Sequence, residues 1–263
     1  MTGGDLDTTA TTGVTLRSTV LGVGRPALCV PLVADTVEGL RADAAKLPTE
    51  VIDVVELRID FLRDETTEAV RAAIAGVRAA LPETLPILLT FRSRLEGGQR
   101  EITPDAYEKL LYAAIAGGEV DAIDVEMFTE PATLARVVAA AHGAGVVVVM
   151  SSHDFAATPP KDEIVERLRT QQKAGADVVK IAVMPRDARD VLTLLDATAE
   201  YTADPGARPA ITMSMGGLGV ISRLAGETFG SCLTFGSVGT ASAPGQVEAA
   251  ELRGVLDLLH SRR

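Results

Sequence analysis

The chain alternates short apolar runs rich in β-branched residues with longer stretches whose apolar positions recur at helical spacing. The short runs predict buried strands, and the Ala- and Leu-rich stretches between them predict amphipathic helices. Strands are predicted at residues 27–33, 51–58, 86–92, 121–126, 145–151, 177–183, 209–213 and 232–235. Helices are predicted at residues 69–80, 104–116, 133–142, 162–174 and 186–199.

Strands that alternate with helices form βα units and a parallel sheet. Eight units in a chain of about 250 residues are typical of a closed barrel. An open doubly wound sheet would have about six strands and usually a glycine-rich first turn, whereas residues 31–35 contain no glycine. We therefore predict the α/β class and a (β/α)8 TIM barrel. Residues 14–263 are expected to form a single domain, after a disordered leader at residues 1–13.

A further β-prone run at residues 14–21 precedes the first barrel strand and is followed by the turn-forming segment Gly22-Val-Gly-Arg-Pro26. A turn cluster between two β-prone runs predicts a β-hairpin. Because the hairpin is additional to the eight barrel strands, we expect it to cap the bottom of the barrel.

The charge and composition restrict the partners. The formal net charge of −11, from 36 acidic and 25 basic residues, disfavours nucleic acid and anionic membranes, so an anionic substrate needs a local cluster of arginines. There is no membrane-length apolar run and no signal peptide, so we expect a cytoplasmic protein. Cys29 and Cys232 are the only cysteines. They provide neither a disulfide framework nor a metal-ligand cluster, so we expect reduced thiols and no metal.

Lys180 lies inside the predicted sixth strand, in Asp-Val-Val-Lys-Ile-Ala-Val. Strands of a parallel barrel are buried on both faces, so a charge there costs free energy unless it is paired. Such a lysine either extends its ammonium group to the rim or serves in catalysis, because a neutral amine forms an imine with a ketone. We favour catalysis.

His153 ends the predicted fifth strand, and barrel enzymes place their functional residues at such strand ends. It could also be a rim histidine whose hydrogen bonds are satisfied, but we favour a functional role. His142 is expected at a helix C-terminus, where a positive charge is favourable, and His260 in the C-terminal tail. Because strands five and six are neighbours, His153 should lie close to Lys180.

Other polar residues follow the remaining strands. Charged side chains end or follow strands two to four, and a glycine-rich turn at residues 214–219 follows strand seven. This turn is either a flexible connection or a phosphate cradle at a helix N-terminus. Residues 237–246 are rich in small residues and glycine, as a mobile lid would be. The charged residues are Glu56, Arg58, Arg92, Glu96, Glu126 and, after the glycine-rich turn, Arg223.

Six sequence motifs, which follow one another along most of the chain, resemble those of type I 3-dehydroquinate dehydratase. The lid motif and the 27-residue gap between His153 and Lys180 are the most specific of them. The motifs are Glu56-Leu-Arg-Ile-Asp60, Thr90-Phe-Arg-Ser with Glu96-Gly-Gly, Ser152-His-Asp-Phe155, Lys180-Ile-Ala, Met213-Ser-Met-Gly216 with Ser222-Arg223, and Ser242-Ala-Pro-Gly-Gln246.

The resemblance implies a cofactor-free lyase of the shikimate pathway that acts on 3-dehydroquinate and is commonly a homodimer. It implies that Lys180 forms the Schiff base, that His153 is the general acid/base and that Glu96 orients His153. Pro31 stands where the family often has serine. The implied substrate-binding residues are Glu56, Arg58 and Arg92 for the ring hydroxyls, Arg223, Ser242 and Gln246 for the carboxylate, Met213 and Phe235 as the apolar wall, and Ala243 of the lid motif.

Two other interpretations remain open from the residues alone. A class I aldolase or transaldolase-like barrel also uses a strand lysine, but its phosphorylated substrates would occupy the turn at residues 216–219. A barrel retained only for binding would lack the lysine or the histidine, and this chain has both. Arg223 and the lid motif favour a carboxylate substrate.

Overall fold

The computed structural model describes residues 13–239 and 245–263. Its strands are β1 (Val14–Leu16), β2 (Thr19–Leu21), β3 (Ala27–Leu32), β4 (Val54–Arg58), β5 (Ile87–Thr90), β6 (Ala122–Glu126), β7 (Val147–Asp154), β8 (Val178–Val183), β9 (Ala210–Ser214), β10 (Leu233–Ser237) and β11 (Val247–Glu248). Its helices are α1 (Val37–Ala44), α2 (Thr67–Ala80), α3 (Pro104–Ala116), α4 (Pro131–Gly143), α5 (Lys161–Lys173), α6 (Ala188–Thr202), α7 (Val220–Leu224), α8 (Gly226–Phe229) and α9 (Ala249–His260).

The strands β3 to β10 form the wall of a (β/α)8 barrel, as predicted. Each strand from β3 to β8 pairs in parallel with the next strand along the chain, and β10 pairs in parallel with β3. Between β9 and β10 the barrel is joined by a bridge from Ala210 to Ser231 and by a 2.8 Å hydrogen bond that the Cys232 N–H donates to the Ala210 carbonyl. The short strand β11 adds to β10.

Local sequence explains where the outer helices begin. Threonine side chains at positions 36, 66 and 103 accept hydrogen bonds from backbone N–H groups at the starts of α1, α2 and α3, which satisfies donors that a helix leaves unpaired. The five predicted helices are present, with ends shifted by up to three residues. No helix was predicted at α1, α8 or α9, whereas the helix expected after strand seven, which carries Arg223, is present as α7. His260 was wrongly placed in a tail, because it ends α9 and its Nδ1 lies 2.7 Å from Glu227 Oε1.

The N-terminal hairpin exists, but its turn was predicted at the wrong place. Strands β1 and β2 pair within residues 14–21, so the turn lies at Arg17 and Ser18 rather than at residues 22–26. Arg17 has a φ of 50°, in the left-handed region that favours glycine. Its side chain is held by Asp121 Oδ1 at 2.6 Å and by the Glu83 carbonyl at 2.7 Å.

The hairpin caps the bottom of the barrel, as predicted. Leu16 and Leu21 are buried against interior residues of the barrel strands. Thr19 Oγ1 donates a 2.9 Å hydrogen bond to the carbonyl of Asp53, which directly precedes β4. These contacts lie at the N-terminal ends of the strands and close the end opposite to the strand termini that carry the polar groups.

Two predictions fall outside the described residues. The leader at residues 1–13 lies there except for Gly13, and so do Ser242 and Ala243 of the lid motif. No helix in the described part of the chain is long and apolar enough to cross a membrane.

Candidate active site

A cavity opens at the C-terminal ends of the barrel strands. It brings together every predicted site residue within the described ranges, although their catalytic and binding roles stay predictions. Gly97, Phe155, Ala182 and Met215 also line it and were not predicted as site residues. The predicted residues that line the cavity are Glu56, Arg58, Arg92, Glu96, His153, Lys180, Met213, Arg223, Phe235 and Gln246.

Lys180 reaches the cavity from the middle of β8, and its side chain is only 3% exposed. Its Nζ donates a 2.8 Å hydrogen bond to Asp124 Oδ2 and lies 3.6 Å from Glu56 Oε1. The same atom lies 4.8 Å from the centre of the Phe235 ring. The amine is thus surrounded by two carboxylates and an aromatic ring, in a site that excludes bulk water.

Asp124 contacts the predicted catalytic lysine and was not among the predicted site residues. It is completely buried on β6 and accepts hydrogen bonds from Lys180 Nζ and from Ser151 Oγ, the latter at 2.6 Å. An Nη2 atom of Arg92 lies 2.7 Å from its Oδ1. Burial alone would raise the pKa of Asp124, but Arg92 and Lys180 outweigh burial and lower it far below its ordinary range. The carboxylate therefore stays charged.

Arg92 connects the lysine to the histidine. Besides Asp124, its guanidinium contacts Glu126 Oε1 at 2.9 Å and Glu96 Oε2 at 3.4 Å. Burial would lower the pKa of Arg92, but the surrounding carboxylates raise it instead. Its donors are thus largely committed to protein groups. This geometry shows that Arg92 fixes the positions of the carboxylates that surround Lys180 and His153.

His153 and Glu96 form a buried pair beside the lysine. Nδ1 of His153 lies 2.9 Å from Glu96 Oε2. Burial, reinforced by Arg92 and Lys180, lowers the pKa of His153 well below 6.5, so the imidazole is neutral at pH 7. Burial also raises the pKa of Glu96 to about 8, even though Arg92 opposes this shift. Once Glu96 ionises, it can accept the Nδ1 hydrogen, which leaves Nε2 free to take a proton.

The raised pKa of Glu96 predicts how a substitution changes stability with pH. Because the folded-state pKa of about 8 exceeds the ordinary 4.5, the contribution of Glu96 to stability is fully present below pH 4.5 and is lost as pH rises through 8. Glu96→Gln removes this titration. The melting temperature of the variant, relative to wild type, should therefore rise between pH 5 and pH 9.

Thermal unfolding at pH 5, 7 and 9 measures this difference. Glu108→Gln is the control, because hydrogen bonding to Arg136 lowers the pKa of Glu108, so this variant should show no such rise. A melting-temperature difference for Glu96→Gln that stays constant with pH would show that the carboxyl of Glu96 has an ordinary pKa in the folded protein.

The glycines after Glu96 let its loop close over the cavity. Gly97 has a φ of 84°, and a Cβ atom there would lie 2.2 Å from the ring of Phe155. A Cβ at Gly98 would lie 1.8 Å from the Arg92 carbonyl oxygen. The clash at Gly98 is with backbone, so no other residue fits there, and the positive φ of Gly97 disfavours any other residue at that position. The Glu96-Gly-Gly motif thus allows Glu96 to lie against His153 and Arg92.

Strand β4, which lies across the barrel from the Lys180 strand β8, supplies Glu56 and Arg58. Glu56 Oε1 accepts a 3.0 Å hydrogen bond from Thr90 Oγ1. Arg58 makes two parallel 2.8 Å hydrogen bonds to the fully buried Asp60 and lies over the ring of Phe61. A bidentate pair fixes the guanidinium plane, so Arg58 offers its remaining donors in one orientation.

Arg223 enters the cavity from α7. Its side chain is buried, Nη1 lies 3.7 Å from Met213 Sδ, and burial lowers its pKa to about 10. Gln246 lines the same cavity. Gly245 packs so closely on Gly216 that a Cβ atom would lie 2.3 Å from the Gly216 carbonyl oxygen. The end of the lid segment thus rests on the glycine-rich turn.

The barrel and its cavity, with a buried lysine and a neighbouring histidine at the C-terminal strand ends, define an enzyme of the (β/α)8 class. The family model for type I 3-dehydroquinase matches residues 28–263. The chain belongs to this family.

Individual relatives agree with this assignment. The 3-dehydroquinate dehydratase of Listeria innocua is 50% identical over 250 residues, which are 95% of this chain and 98% of the relative. That of Syntrophotalea carbinolica is 52% identical over 251 residues, with 94% and 98% covered. The crystal structure of type I 3-dehydroquinate dehydratase from Clostridium difficile has a TM-score of 0.93 at 43% identity, over 96% of this chain and 100% of that one.

Proposed function

We propose that this protein dehydrates 3-dehydroquinate to 3-dehydroshikimate through a Schiff base on Lys180, with His153 as general acid/base. Family membership supports the reaction. One observation supports the residues: of the five lysines, Lys46, Lys109, Lys161 and Lys173 are exposed or half-buried, whereas Lys180 is buried in the same cavity as His153. The test is to incubate the protein with 3-dehydroquinate and follow the ultraviolet absorbance of the conjugated enone. No increase in absorbance would contradict the proposal.

The chemistry follows from the groups in the cavity. The amine of Lys180 attacks the C3 ketone and releases water to form an iminium, which withdraws electrons from the adjacent carbon. His153 removes a proton from that carbon and then protonates the C1 hydroxyl, which leaves as water. Hydrolysis of the product iminium consumes one water, which balances the water released when the iminium formed, and frees Lys180. The net change is the loss of one water molecule.

The negative charge of Asp124 balances the positive charge that stays on the nitrogen of Lys180 during these steps. The ammonium of Lys180 and the iminium that replaces it both carry one positive charge at the same place. The carboxylate of Asp124, 2.8 Å from Nζ, remains ionised and lies next to the positive charge in both the ammonium and the iminium state. A fixed opposite charge in a dry site stabilises the iminium without reorganisation. Neutral His153 is the group that can take the proton which Lys180 must lose before it attacks.

The remaining residues are assigned to substrate binding. Arg223 and Gln246 hold the carboxylate, Met213 and Phe235 form the apolar wall, and Glu56, Arg58 and Arg92 face the ring hydroxyls. We also assign Ser242 of the lid motif to the carboxylate end and Ala243 to substrate binding, by resemblance alone. The arginines supply the local positive charge that an acidic protein needs to bind an anion.

Arg223→Ala is expected to weaken substrate binding by about 2 to 5 kcal/mol, the usual cost of removing one partner of a buried charge pair. The arginine is almost fully buried in the cavity, so water cannot replace it in the complex. Equilibrium binding of substrate to the Lys180→Met variant, with and without Arg223→Ala, measures the loss without turnover. Arg136→Ala, a surface change, is the control. Unchanged affinity would remove Arg223 from the carboxylate site.

Activity is expected to survive exhaustive chelation and dialysis, because the iminium of Lys180 supplies the electron sink for removal of the proton, so that this step needs no metal. The measurement is the turnover rate before and after treatment with a strong chelator. Loss of turnover that a divalent ion restores would contradict the Schiff base as the main route.

The aldolase-like interpretation receives no support. The N–H groups of Gly219 and Val220 donate to carbonyls within the turn at residues 216–219, so they do not face a phosphate. Family membership favours the dehydratase as well.

We further propose a single barrel domain, a homodimer and a cytoplasmic location. The two cysteines within the described residues are buried free thiols, which suits a reducing compartment. Light scattering measures the molar mass in solution, which should be twice the 27.5 kDa of the chain for a homodimer. A mass of one chain would contradict the proposed homodimer.

A further inference from the structure

Gln171 makes an unusual contact with the backbone of Lys180 from the outer layer of helices. It lies in the last turn of α5, and its side chain is completely buried. Its Nε2 donates a 2.9 Å hydrogen bond to the Lys180 carbonyl, and its Oε1 accepts one of 2.9 Å from the Lys180 N–H. One side-chain amide therefore satisfies both polar groups of the Lys180 backbone.

The side-chain amide is held in place by a third contact. Nε2 of Gln171 also lies 3.5 Å from Sδ of Met127. The N–H of Met127 in turn donates a 2.8 Å hydrogen bond to the carbonyl of Ser151, the β7 residue that pairs with Lys180. The amide thus ties α5, the end of β6 and two adjacent barrel strands together at one point. An amide is the side-chain group that can donate and accept in one plane, as a peptide does.

We propose that Gln171 is a positioning residue for catalysis, because it fixes the backbone from which the Lys180 side chain reaches the substrate. The proposal rests on the proposed role of Lys180. The described lining of the cavity does not include Gln171, so it acts only through Lys180. A small tilt of this backbone is magnified along the lysine side chain at Nζ, and a misplacement of about 1 Å at a reacting atom can cost about 100-fold in rate.

The test is Gln171→Met, which keeps the length of the side chain and removes both hydrogen bonds. We expect kcat and the single-turnover rate of borohydride-trappable adduct formation to fall together by about 10- to 100-fold. The KM should change less than about threefold, because the residues that line the cavity are intact. A kcat and an adduct rate within twofold of wild type would overturn the proposal.

Thr198→Val is the matched control. Thr198 is also completely buried on an outer helix, and its hydroxyl lies 2.8 Å from Thr212 Oγ1 on β9, the other neighbour of β8. This variant loses a buried hydrogen bond between helix and barrel without touching Lys180. It should lower the melting temperature but keep kcat within twofold. An equal loss of kcat in both variants would assign the effect of Gln171→Met to general loosening and overturn the proposal.

Gln171→Glu keeps the proposal testable if the methionine variant does not fold. It preserves shape and the acceptor for the Lys180 N–H, while an ionised carboxylate cannot donate to the Lys180 carbonyl. The protonated carboxyl can donate and accept as the amide does. We therefore expect the kcat of this variant relative to wild type to be higher at pH 5.5 than at pH 8.5. A pH-independent ratio would contradict the positioning role.

The two proposals fail differently. If the adduct in wild-type protein does not form on Lys180, the proposed function fails, whatever Gln171 does. If the adduct forms on Lys180 and Gln171→Met forms it at the wild-type rate, only the role of Gln171 fails.

Discussion

Lys180→Met is expected to reduce turnover of 3-dehydroquinate to the uncatalysed background and to abolish the adduct that borohydride traps. The methionine side chain has a similar length but no amine, so neither the imine nor its electron sink can form. The two measurements, enone absorbance and protein mass after borohydride treatment, should fall together. No other lysine can substitute, because the other four are exposed or half-buried.

Folding of this variant has to be measured as well. Removing one partner of a buried ion pair typically costs about 3–5 kcal/mol, but Arg92 still contacts Asp124 at 2.7 Å, so the carboxylate keeps one cation. Lys173→Met on the surface of α5 is the control and should retain full activity. A folded Lys180→Met protein that still turns over substrate would exclude the Schiff-base route through β8.

His153→Ala is expected to lower kcat by about 10² to 10⁴-fold, the usual contribution of one general acid/base. It should nevertheless form a borohydride-trappable adduct on Lys180, more slowly than wild type. Lys180 makes the covalent bond whereas His153 only moves protons, and water can partly replace it during imine formation. The adduct yield at long incubation times therefore distinguishes the roles of the two residues, although turnover is abolished in Lys180→Met and greatly reduced in His153→Ala.

His142→Ala is the matched control for this variant. His142 pairs with Asp177 at 3.0 Å on the outer surface and should be replaceable without loss of kcat. Full activity in His153→Ala would place the proton transfer elsewhere, and Glu96, 2.9 Å from Nδ1, would become the leading candidate.

The periodic part of the fold could be predicted because the barrel strands are buried on both faces and are therefore rich in apolar, β-branched residues. The hairpin turn could not. Turn rules expect glycine or asparagine where φ is positive, and here Arg17 occupies that position, held by Asp121 and Glu83 from distant loops. Helix α9 was missed because it follows directly on a two-residue strand.

A site residue could be predicted where a charged side chain interrupts an otherwise apolar strand, as Lys180 does. Asp124 stands out in the same way, because it lies in the middle of the strand Ala122–Glu126 with apolar neighbours, yet only Glu126 at the end of that strand was predicted as a site charge. Sequence could not reveal that Arg92 joins three carboxylates or that Gln171 holds the Lys180 backbone. Both depend on contacts between elements that are far apart in the chain.

The most direct test of the Schiff-base mechanism is to locate the adduct by mass spectrometry after borohydride trapping with 3-dehydroquinate. Trypsin does not cleave after a modified lysine, so the added mass should appear on a single peptide that spans residues 174–186 and contains Lys180. An adduct on a peptide containing Lys161 or Lys173, or no adduct at all under turnover conditions, would contradict the assignment of Lys180.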